Sequence, residues 1–445
     1  MKTTFTTGAA LFLLMGCALP AAADASISDV VARQRWPWQR YVDIDYVLTC
    51  DPSERMDIAL TAKDGNATLT LPAESLTGDL FHVAPGPRRI VWDPLQTEYT
   101  NNLMLTQFSV TLTPYRVPLY MIVDLTLAKG ADGQIEYVRE DDLRAGIWGA
   151  WAENPVTNNG TVVSSVIWTG VATNEIYQTD KLVLRRIQAG DFNMNGTVQT
   201  AVTRGFYAGV FEVTQRQWEH VMKGTPSSWF SNVTHAAARP LENRSYDDIR
   251  GATNSVPAIN WPATGLDVAP GSFLAVLREK TGITDFDLPT EAQWEYACRA
   301  GTTTVYHDGD PDAGISGANA ISNVWMDVLG RYAWNGGLLD NGSEPARDCT
   351  PERGTAVCGS YRPNAWGLYD THGNVYEWCL DWYAYALEGG NDPDGPDAPT
   401  DNKRITRGGR WSEAAQYCRP AYRYNNAYPN SRAKNIGFRL VRHLR

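Results

Sequence analysis

The sequence has few basic residues, and this shortage limits the partners that the protein can have. Lysine and arginine number 39 against 50 aspartate and glutamate residues, which gives a formal net charge of −11. Because a nucleic-acid backbone would be repelled by this excess, nucleic acid is excluded as a partner. Hydrophobic residues make up 43% and charged residues 20% of the chain, which is typical of a globular protein and not of a disordered one.

Long hydrophobic runs are missing after the first residues, so no membrane span is expected. The chain opens with Lys2 before an apolar run from Ala9 to Met15, and small residues follow. We interpret residues 1–23 as a secretory signal peptide, cleaved after Ala23. The alternative is a lipoprotein signal that lipidates Cys17 and anchors the protein to a membrane. Both interpretations predict an exported protein: secreted, periplasmic or on the surface of a bacterium.

Local metal-binding motifs are also lacking. No Cys-x-x-Cys occurs and no two histidines are three to five residues apart, so zinc binding by a local motif is not predicted. The even number of cysteines beyond residue 23 favours disulfides in an exported protein. The best local pair is Cys349 with Cys358, which enclose a short polar loop, whereas Cys50 has no obvious partner.

Strand patterns dominate the first part of the chain. Apolar residues alternate with polar ones in several runs between Gly, Pro, Asn and Asp turns, for example from Val42 to Leu48. This period of two predicts antiparallel strands, and we assign residues 27–117 to a small all-β, sandwich-like domain. Continuous apolar runs at 119–127 and 181–187 predict two more strands, so residues 118–182 are interpreted as strands and loops packed on the next domain.

Helix signals are few after about residue 182, and two are clear. Thr214 can cap a helix with Gln217 as its capping-box partner, three residues on. Thr290 can do the same with Gln293, and Gly301 is predicted to end that second helix. The rest of this region predicts short strands and long ordered loops.

Five ordered blocks in the second part of the chain resemble one family. They read IQAGDFNMNG, GFYAGVFEVTQRQWEHVM, FDLPTEAQWEYACRAGTTT, NAWGLYDTHGNVYEWCLDWY and RITRGGRW…NNAYPNSRAKNIGFRLVR. Together they resemble the formylglycine-generating enzymes, also called sulfatase-modifying factors, over residues 183–445. The resemblance implies an α+β domain with little regular structure, related to C-type lectin-like domains.

The resemblance also implies an active site, but one of its two cysteines is absent. Members of the family bind copper through two cysteines, and alignment from Gly408-Gly409 places Cys418 at the second and Glu413 at the first. One thiolate with one carboxylate holds Cu(I) poorly and forms no mixed disulfide with a substrate thiol. Copper is therefore not expected. Cys418 is a disulfide partner of Cys298 or Cys379, a buried free thiol, or a lone nucleophile.

A calcium site is implied by the segment GLYDTHGNVYEW, residues 367–378. The family's second calcium site corresponds to the side chains of Asp370 and Glu377 and the main-chain carbonyls of Gly373 and Val375. Calcium binds six to eight oxygen ligands, and Gly373 permits the bend that such a loop needs. The alternative is structural: Asp370 caps a turn and Glu377 pairs with an arginine such as Arg439.

Two functional hypotheses follow. In the first, the protein is a non-catalytic binding protein for a protein or glycan ligand, because Tyr, Trp and Asn suit recognition surfaces. Its binding face is formed by residues of the last block: Trp411, Tyr417, Tyr422, Tyr424, Asn426 and Tyr428. In the alternative, the protein is a divergent oxidoreductase that uses Cys418, with Glu413 as general base or metal ligand.

Overall fold

The structure is a computed structural model in two compact units, one ending at Val117 and one from Pro118 to Leu444. It describes residues 25–444 apart from 36–38, 53, 70, 72–74, 82, 95–106, 139–150, 159–160, 169–170, 225, 227, 309–320, 348–352 and 400. For 151–158, 161–168, 425 and 426 only the backbone is described. The predicted signal peptide, with Cys17, lies outside the described residues. No helix among the described residues is long and apolar enough to cross a membrane.

The first unit consists of antiparallel strands in two sheets. Its strands are β1 (Ser26–Gln34), β2 (Val42–Thr49), β3 (Asp57–Asp64), β4 (Ala67–Leu69), β5 (Leu76–Gly78), β6 (Gly86–Trp92) and β7 (Phe108–Tyr115). One sheet has the order β1-β2-β6-β5 and the other β4-β3-β7. Side chains of both sheets pack into one core, because every second residue of these strands is apolar and points inward. The strands predicted from the period of two are confirmed.

The second unit contains several small sheets. Its strands are β8 (Tyr120–Asp124), β9 (Ile135–Val138), β10 (Trp151–Asn158), β11 (Thr161–Trp168), β12 (Lys181–Ile187), β13 (Gly190–Met194), β14 (Val198–Val202), β15 (Phe206–Gly209), β16 (Phe286–Asp287), β17 (Tyr376–Trp382), β18 (Gly390–Asn391), β19 (Arg404–Arg407), β20 (Tyr424–Ala427), β21 (Ile436–Gly437) and β22 (Val441–His443). The largest sheet has the order β16-β22-β15-β12-β8-β9, and β20-β19-β17-β21 form a second one. The second sheet positions the candidate site. The predicted calcium ligands lie on β17 or just before it, and Cys418 and Glu413 follow β19.

Helices of the second unit are short. They are α1 (Ile176–Thr179), α2 (Gln215–Met222), α3 (Tyr246–Ile249), α4 (Phe273–Thr281), α5 (Glu291–Arg299) and α6 (Met326–Leu329). Both predicted capping boxes are present, at Thr214 and at Thr290. Helix α5 ends one residue earlier than predicted, because Ala300 already has a left-handed backbone with φ of 47°. Mixed helix and sheet with much irregular structure agrees with the predicted α+β class.

No disulfide is present among the described residues, and Cys418 is a buried free thiol, which is one of the alternatives given for it above. Cys418 lies in an apolar cluster around Tyr332, whereas Cys298 and Cys379 lie in a separate cluster with Trp294. The Cys298 thiol donates instead to the carbonyl oxygen of Thr371, at 3.5 Å. Cys358 is also a free buried thiol, and its predicted partner Cys349 lies outside the described residues. An even cysteine count favours pairing only where the fold brings the sulfurs together.

Candidate functional site

The two glycines after β19 turn the chain toward Cys418. Gly408 and Gly409 have φ of 97° and 85°, in the left-handed region that favours glycine. A Cβ on Gly409 would lie 2.6 Å from both the Cα and the Sγ of Cys418. Glycine is therefore required there for backbone conformation and for space. The turn packs directly on the cysteine that the family resemblance singles out.

The Cys418 thiol is enclosed by apolar side chains. The residue is fully buried, next to Tyr306, Met326, Tyr332 and Ala415. The carbonyl oxygen of Ala414 lies 3.9 Å from its Sγ atom. Burial raises the pKa of the Cys418 thiol far above its ordinary value, and this effect outweighs the opposing hydrogen bond from the backbone N–H of Arg410. The sulfur is therefore a protonated thiol and not a thiolate.

A histidine lies beside Cys418, but it contacts the main chain. The Nδ1–H of His372 donates to the carbonyl oxygen of Cys418 at 2.8 Å, and its Nε2 accepts from the backbone N–H of His307 at 3.2 Å. Burial lowers the pKa of His372 to about 4, so the imidazole is neutral. Both ring nitrogens are occupied by backbone groups, and neither is available as a base for the thiol.

Glu413 is held by an arginine. Its carboxylate forms an ion pair with Arg410, with 2.8 Å between Oε1 and Nη2. Its carbonyl oxygen accepts a hydrogen bond from the backbone N–H of Ala333 at 3.0 Å. Among the described residues no hydrogen bond joins the Glu413 carboxylate to the Cys418 thiol, so the two residues do not form an acid–base pair in this structure.

Trp411 and Tyr424, both assigned to the binding face, lie against other rings. Trp411 is fully buried, packs edge-to-face on Phe230 and donates from its indole N–H to the carbonyl oxygen of Lys434 at 3.2 Å. It belongs to the core and is not available on a surface. Tyr424 is partly buried and stacks on Tyr376, with 4.6 Å between ring centroids.

The other members of the predicted binding face are more open. Tyr417 and Tyr422 are partly buried and form an edge-to-face pair with centroids 5.0 Å apart. Tyr428 is 46% exposed, and its ring lies 5.6 Å from the ammonium group of Lys403. The side chain of Asn426 lies outside the described residues. The structure therefore leaves all four tyrosines of the prediction, Tyr424 included, with some solvent access.

Exposed apolar side chains, which sequence reasoning missed, lie on segments bonded to this block. Ile321, Val324 and Trp334 are 46%, 52% and 53% exposed. The carbonyl oxygen of Ile321 accepts from the backbone N–H of Ala415 at 3.0 Å, and Trp334 follows Ala333, which bonds to Glu413. No local pattern distinguishes these residues from core residues in the sequence. Only the fold shows that they are exposed.

The predicted calcium ligands are not arranged as an open oxygen cage. The two carboxylate oxygens of Glu377 accept hydrogen bonds from the Arg439 guanidinium at 2.8 and 3.0 Å, and one also accepts from the indole N–H of Trp294 at 2.7 Å. This is the pairing that the alternative interpretation names. The four predicted residues therefore do not fit a calcium ion in this structure, because Glu377 is already neutralised and hydrogen-bonded.

Asp370 differs from Glu377 in its surroundings. Its Oδ2 accepts from the backbone N–H of Gly359 at 2.6 Å, but its buried Oδ1 has no hydrogen-bond partner among the described residues. Burial raises the pKa of Asp370 to about 7. This carboxylate is therefore the one in the predicted calcium segment that still lacks a complete set of contacts.

Comparison with known proteins identifies the second unit. Residues 170–444 match the family described as the sulfatase-modifying factor enzyme 1-like domain. The formylglycine-generating enzyme of Streptomyces coelicolor is 38% identical over 161 residues, which are 35% of this chain and 46% of that protein. The mouse enzyme is 33% identical over 161 residues, 35% and 38% of the two chains. The match thus spans less than half the length of these enzymes.

Other relatives have different names. A protein of Paenibacillus barcinonensis named chaperone protein LppX is 25% identical over 290 residues, 59% of this chain and 90% of that protein. Among solved structures, Treponema denticola variable protein 1 has a TM-score of 0.42 and 21% identity, covering 66% of this chain and 99% of its own. Since the family match covers well over half of the sequence, the chain belongs to the sulfatase-modifying factor family.

Proposed function

We propose that this protein is an exported, non-catalytic binding protein of a bacterium, and that its family domain serves as a recognition scaffold. The observation that carries the proposal is the state of Cys418, which is fully buried among apolar side chains. Nucleophilic or copper chemistry needs an accessible thiolate. Glu413 stands at the position of the first cysteine, and His372 is bonded to main-chain groups and is not available as a base to form a thiolate.

We further propose that the ligand is a polypeptide, bound at the surface around the last block. Ile321, Val324 and Trp334 expose apolar area there, and Tyr417 and Tyr422 lie in the same block. Exposed apolar and aromatic groups close together are typical of protein-binding surfaces. The relative named as a chaperone protein supports a polypeptide partner. The relation to C-type lectin-like domains, which would suit a glycan, rests on the family resemblance alone.

The absence of catalysis is tested with the native protein. A peptide carrying the cysteine motif of a sulfatase is incubated with the protein, Cu(I) and oxygen, and mass spectrometry follows formation of the aldehyde. In parallel, iodoacetamide labels native and urea-unfolded protein, and peptide mapping locates the label. We expect no aldehyde, and labelling of Cys418 only after unfolding. Aldehyde formation would establish the oxidoreductase alternative, and rapid labelling of native Cys418 would remove the observation on which the non-catalytic interpretation rests.

The binding surface is tested with an unfolded polypeptide as probe. Dye-labelled, reduced and carboxymethylated α-lactalbumin is titrated with the protein, and fluorescence anisotropy reports binding. Ile321→Ser and Trp334→Ser are expected to weaken binding, since each removes exposed apolar area at the surface. The matched control is Val256→Ser. Val256 is an apolar residue that is 93% exposed and does not belong to the segments around the last block, so its substitution should leave binding unaltered. Equal affinity in all variants, or no binding by the wild type, would contradict a polypeptide site here.

A further inference from the structure

Three side chains that can bind metals meet inside the second unit, away from Cys418. Glu212 follows β15, Cys358 lies in a loop and Asp370 precedes β17. One carboxylate oxygen of each acid and the sulfur of Cys358 all lie within 4.8 Å of one another. All three residues are buried, with exposures of 0%, 0% and 1%. Cys358 and Glu212 are 146 residues apart in the sequence, so the fold alone creates this cluster.

Among the described residues, no arginine forms a hydrogen bond or ion pair with the two acids of the cluster. The positive charge of Arg439 acts on both acids through space. Its five N–H groups, however, are used by Glu377 and by the carbonyl oxygens of Gly209, Val210 and Tyr369. Arg439 therefore has no N–H group left to bond to either acid of the cluster. A buried carboxylate without a cation carries a large desolvation cost.

The hydrogen bonds around the cluster are incomplete at one atom. Glu212 accepts from the side-chain amide of Asn374 at 2.7 Å and from the backbone N–H of Val375 at 3.2 Å. The Cys358 sulfur is 3.6 Å from Oε2 of Glu212. The Oδ1 of Asp370, by contrast, is buried and has no hydrogen-bond partner in the part of the chain that the structure describes. A buried polar atom without a partner costs about 1–3 kcal/mol, and it marks a place where a ligand would be stabilising.

We propose that Glu212, Cys358 and Asp370 bind a divalent metal ion of the zinc class. A thiolate with two carboxylates is a mixed soft and hard set, which suits Zn²⁺ and the chemically similar Co²⁺. Ca²⁺ binds oxygen ligands and would not bind the sulfur. This site shares only Asp370 with the predicted calcium set, and it uses side chains from three segments where that set uses one loop.

The consequence of such a site is structural. The ligands come from three irregular segments, and long irregular loops need stabilising connections in a compact unit. A metal ion that binds only the folded chain stabilises it, and binding to a thiol releases a proton. We therefore expect the ion to join these three segments and to raise the melting temperature of the unit.

Co²⁺ serves as the spectroscopic probe. The full mature chain is stripped of metal with a chelator, under reducing conditions, and titrated with Co²⁺. A thiolate bound to Co²⁺ produces a charge-transfer band in the near ultraviolet, which oxygen ligands alone do not. We expect this band to saturate at one ion per chain, to disappear on addition of Zn²⁺, and to be accompanied by a rise in melting temperature. Ca²⁺ should produce no comparable rise.

Matched variants assign the ligands. Cys358→Ser should lose the band, and Asp370→Asn should weaken Co²⁺ binding while keeping the shape of the side chain. Cys298→Ser is the control, because Cys298 is also a buried free thiol but lies in another cluster. Circular dichroism checks that each variant folds, and Asp370→Asn provides the test if Cys358→Ser does not. No band in the wild type, a band that persists in Cys358→Ser, or unchanged binding in Asp370→Asn would overturn the site.

Discussion

At the scale of single residues, Glu377 and Asp370 show how a few contacts separate two carboxylates of one segment. Glu377 has a bidentate arginine and an indole N–H, so its buried charge is fully compensated. Asp370 has one backbone N–H and an oxygen without a partner. The sequence suggested the same role for both residues. In the structure one is satisfied within the protein and the other is left for a ligand.

Glu377→Gln is expected to destabilise the second unit by about 3–5 kcal/mol, because it leaves Arg439 buried without its counter-ion. The free energy of unfolding in urea measures the effect. The control is Glu219→Gln, which breaks an exposed pair with Arg216 and should cost no more than about 1 kcal/mol. Similar losses in the two variants would contradict a dominant role for the buried pair.

Glu242 is expected to make stability fall as pH rises. Its Oε1 accepts from the Ser228 hydroxyl and the backbone N–H groups of Trp229 and Phe230, while burial raises the pKa of the carboxyl from 4.5 to about 7. The folded chain therefore holds this proton more tightly than the unfolded chain. The stabilisation is complete below about pH 4.5 and is lost as pH rises through about 7, a change of about 3 kcal/mol.

Glu242→Gln tests this dependence, because the amide resembles the protonated acid and does not titrate. Urea unfolding at several values between pH 5 and pH 8 should show a smaller loss of stability in the variant than in the wild type. Parallel curves for the two proteins would show that Glu242 does not have the raised pKa.

At the scale of elements, the short helices were predictable because their signals are local. Thr214 with Gln217, and Thr290 with Gln293, are three residues apart, and each pair satisfies two N–H groups at a helix start. The predicted end of α5 is one residue too late, because Ala300 has a left-handed backbone. Alanine has no side-chain feature that predicts this conformation. Helix starts are thus encoded more clearly here than helix ends.

Thr290→Ala is expected to cost about 0.5–2 kcal/mol of stability, because the side-chain oxygen that accepts from the Gln293 backbone N–H is lost. Chemical denaturation measures the change. Thr290→Ser keeps the hydroxyl and should retain most of the stability. If the serine variant loses as much as the alanine variant, the packing of the Thr290 methyl group and not the cap would be responsible.

At the scale of the whole molecule, features set by residues close together in the sequence were predicted, and contacts between residues far apart in the sequence were not. Alternation predicted the strands of the first unit, and the order of five blocks predicted the family. Contacts between distant segments were missed: the burial of Trp411, the separation of Cys418 from Cys298, and the meeting of Glu212 with Cys358. Such contacts depend on how the loops pack against one another. Neither the secondary-structure propensity of the residues nor their spacing in the sequence predicts this packing.

The two units are expected to fold separately, because each contains its own core. The core of the first unit is formed by residues between Val42 and Leu112, while those of the second begin at Tyr120. Expressed alone, residues 25–117 and 118–445 should each unfold cooperatively in urea, with near-ultraviolet circular dichroism reporting fixed aromatic packing. The stacked pair of Trp92 and Phe108 provides that signal in the smaller fragment. A fragment that lacks the signal, or unfolds without a transition, would show that its core needs the other unit.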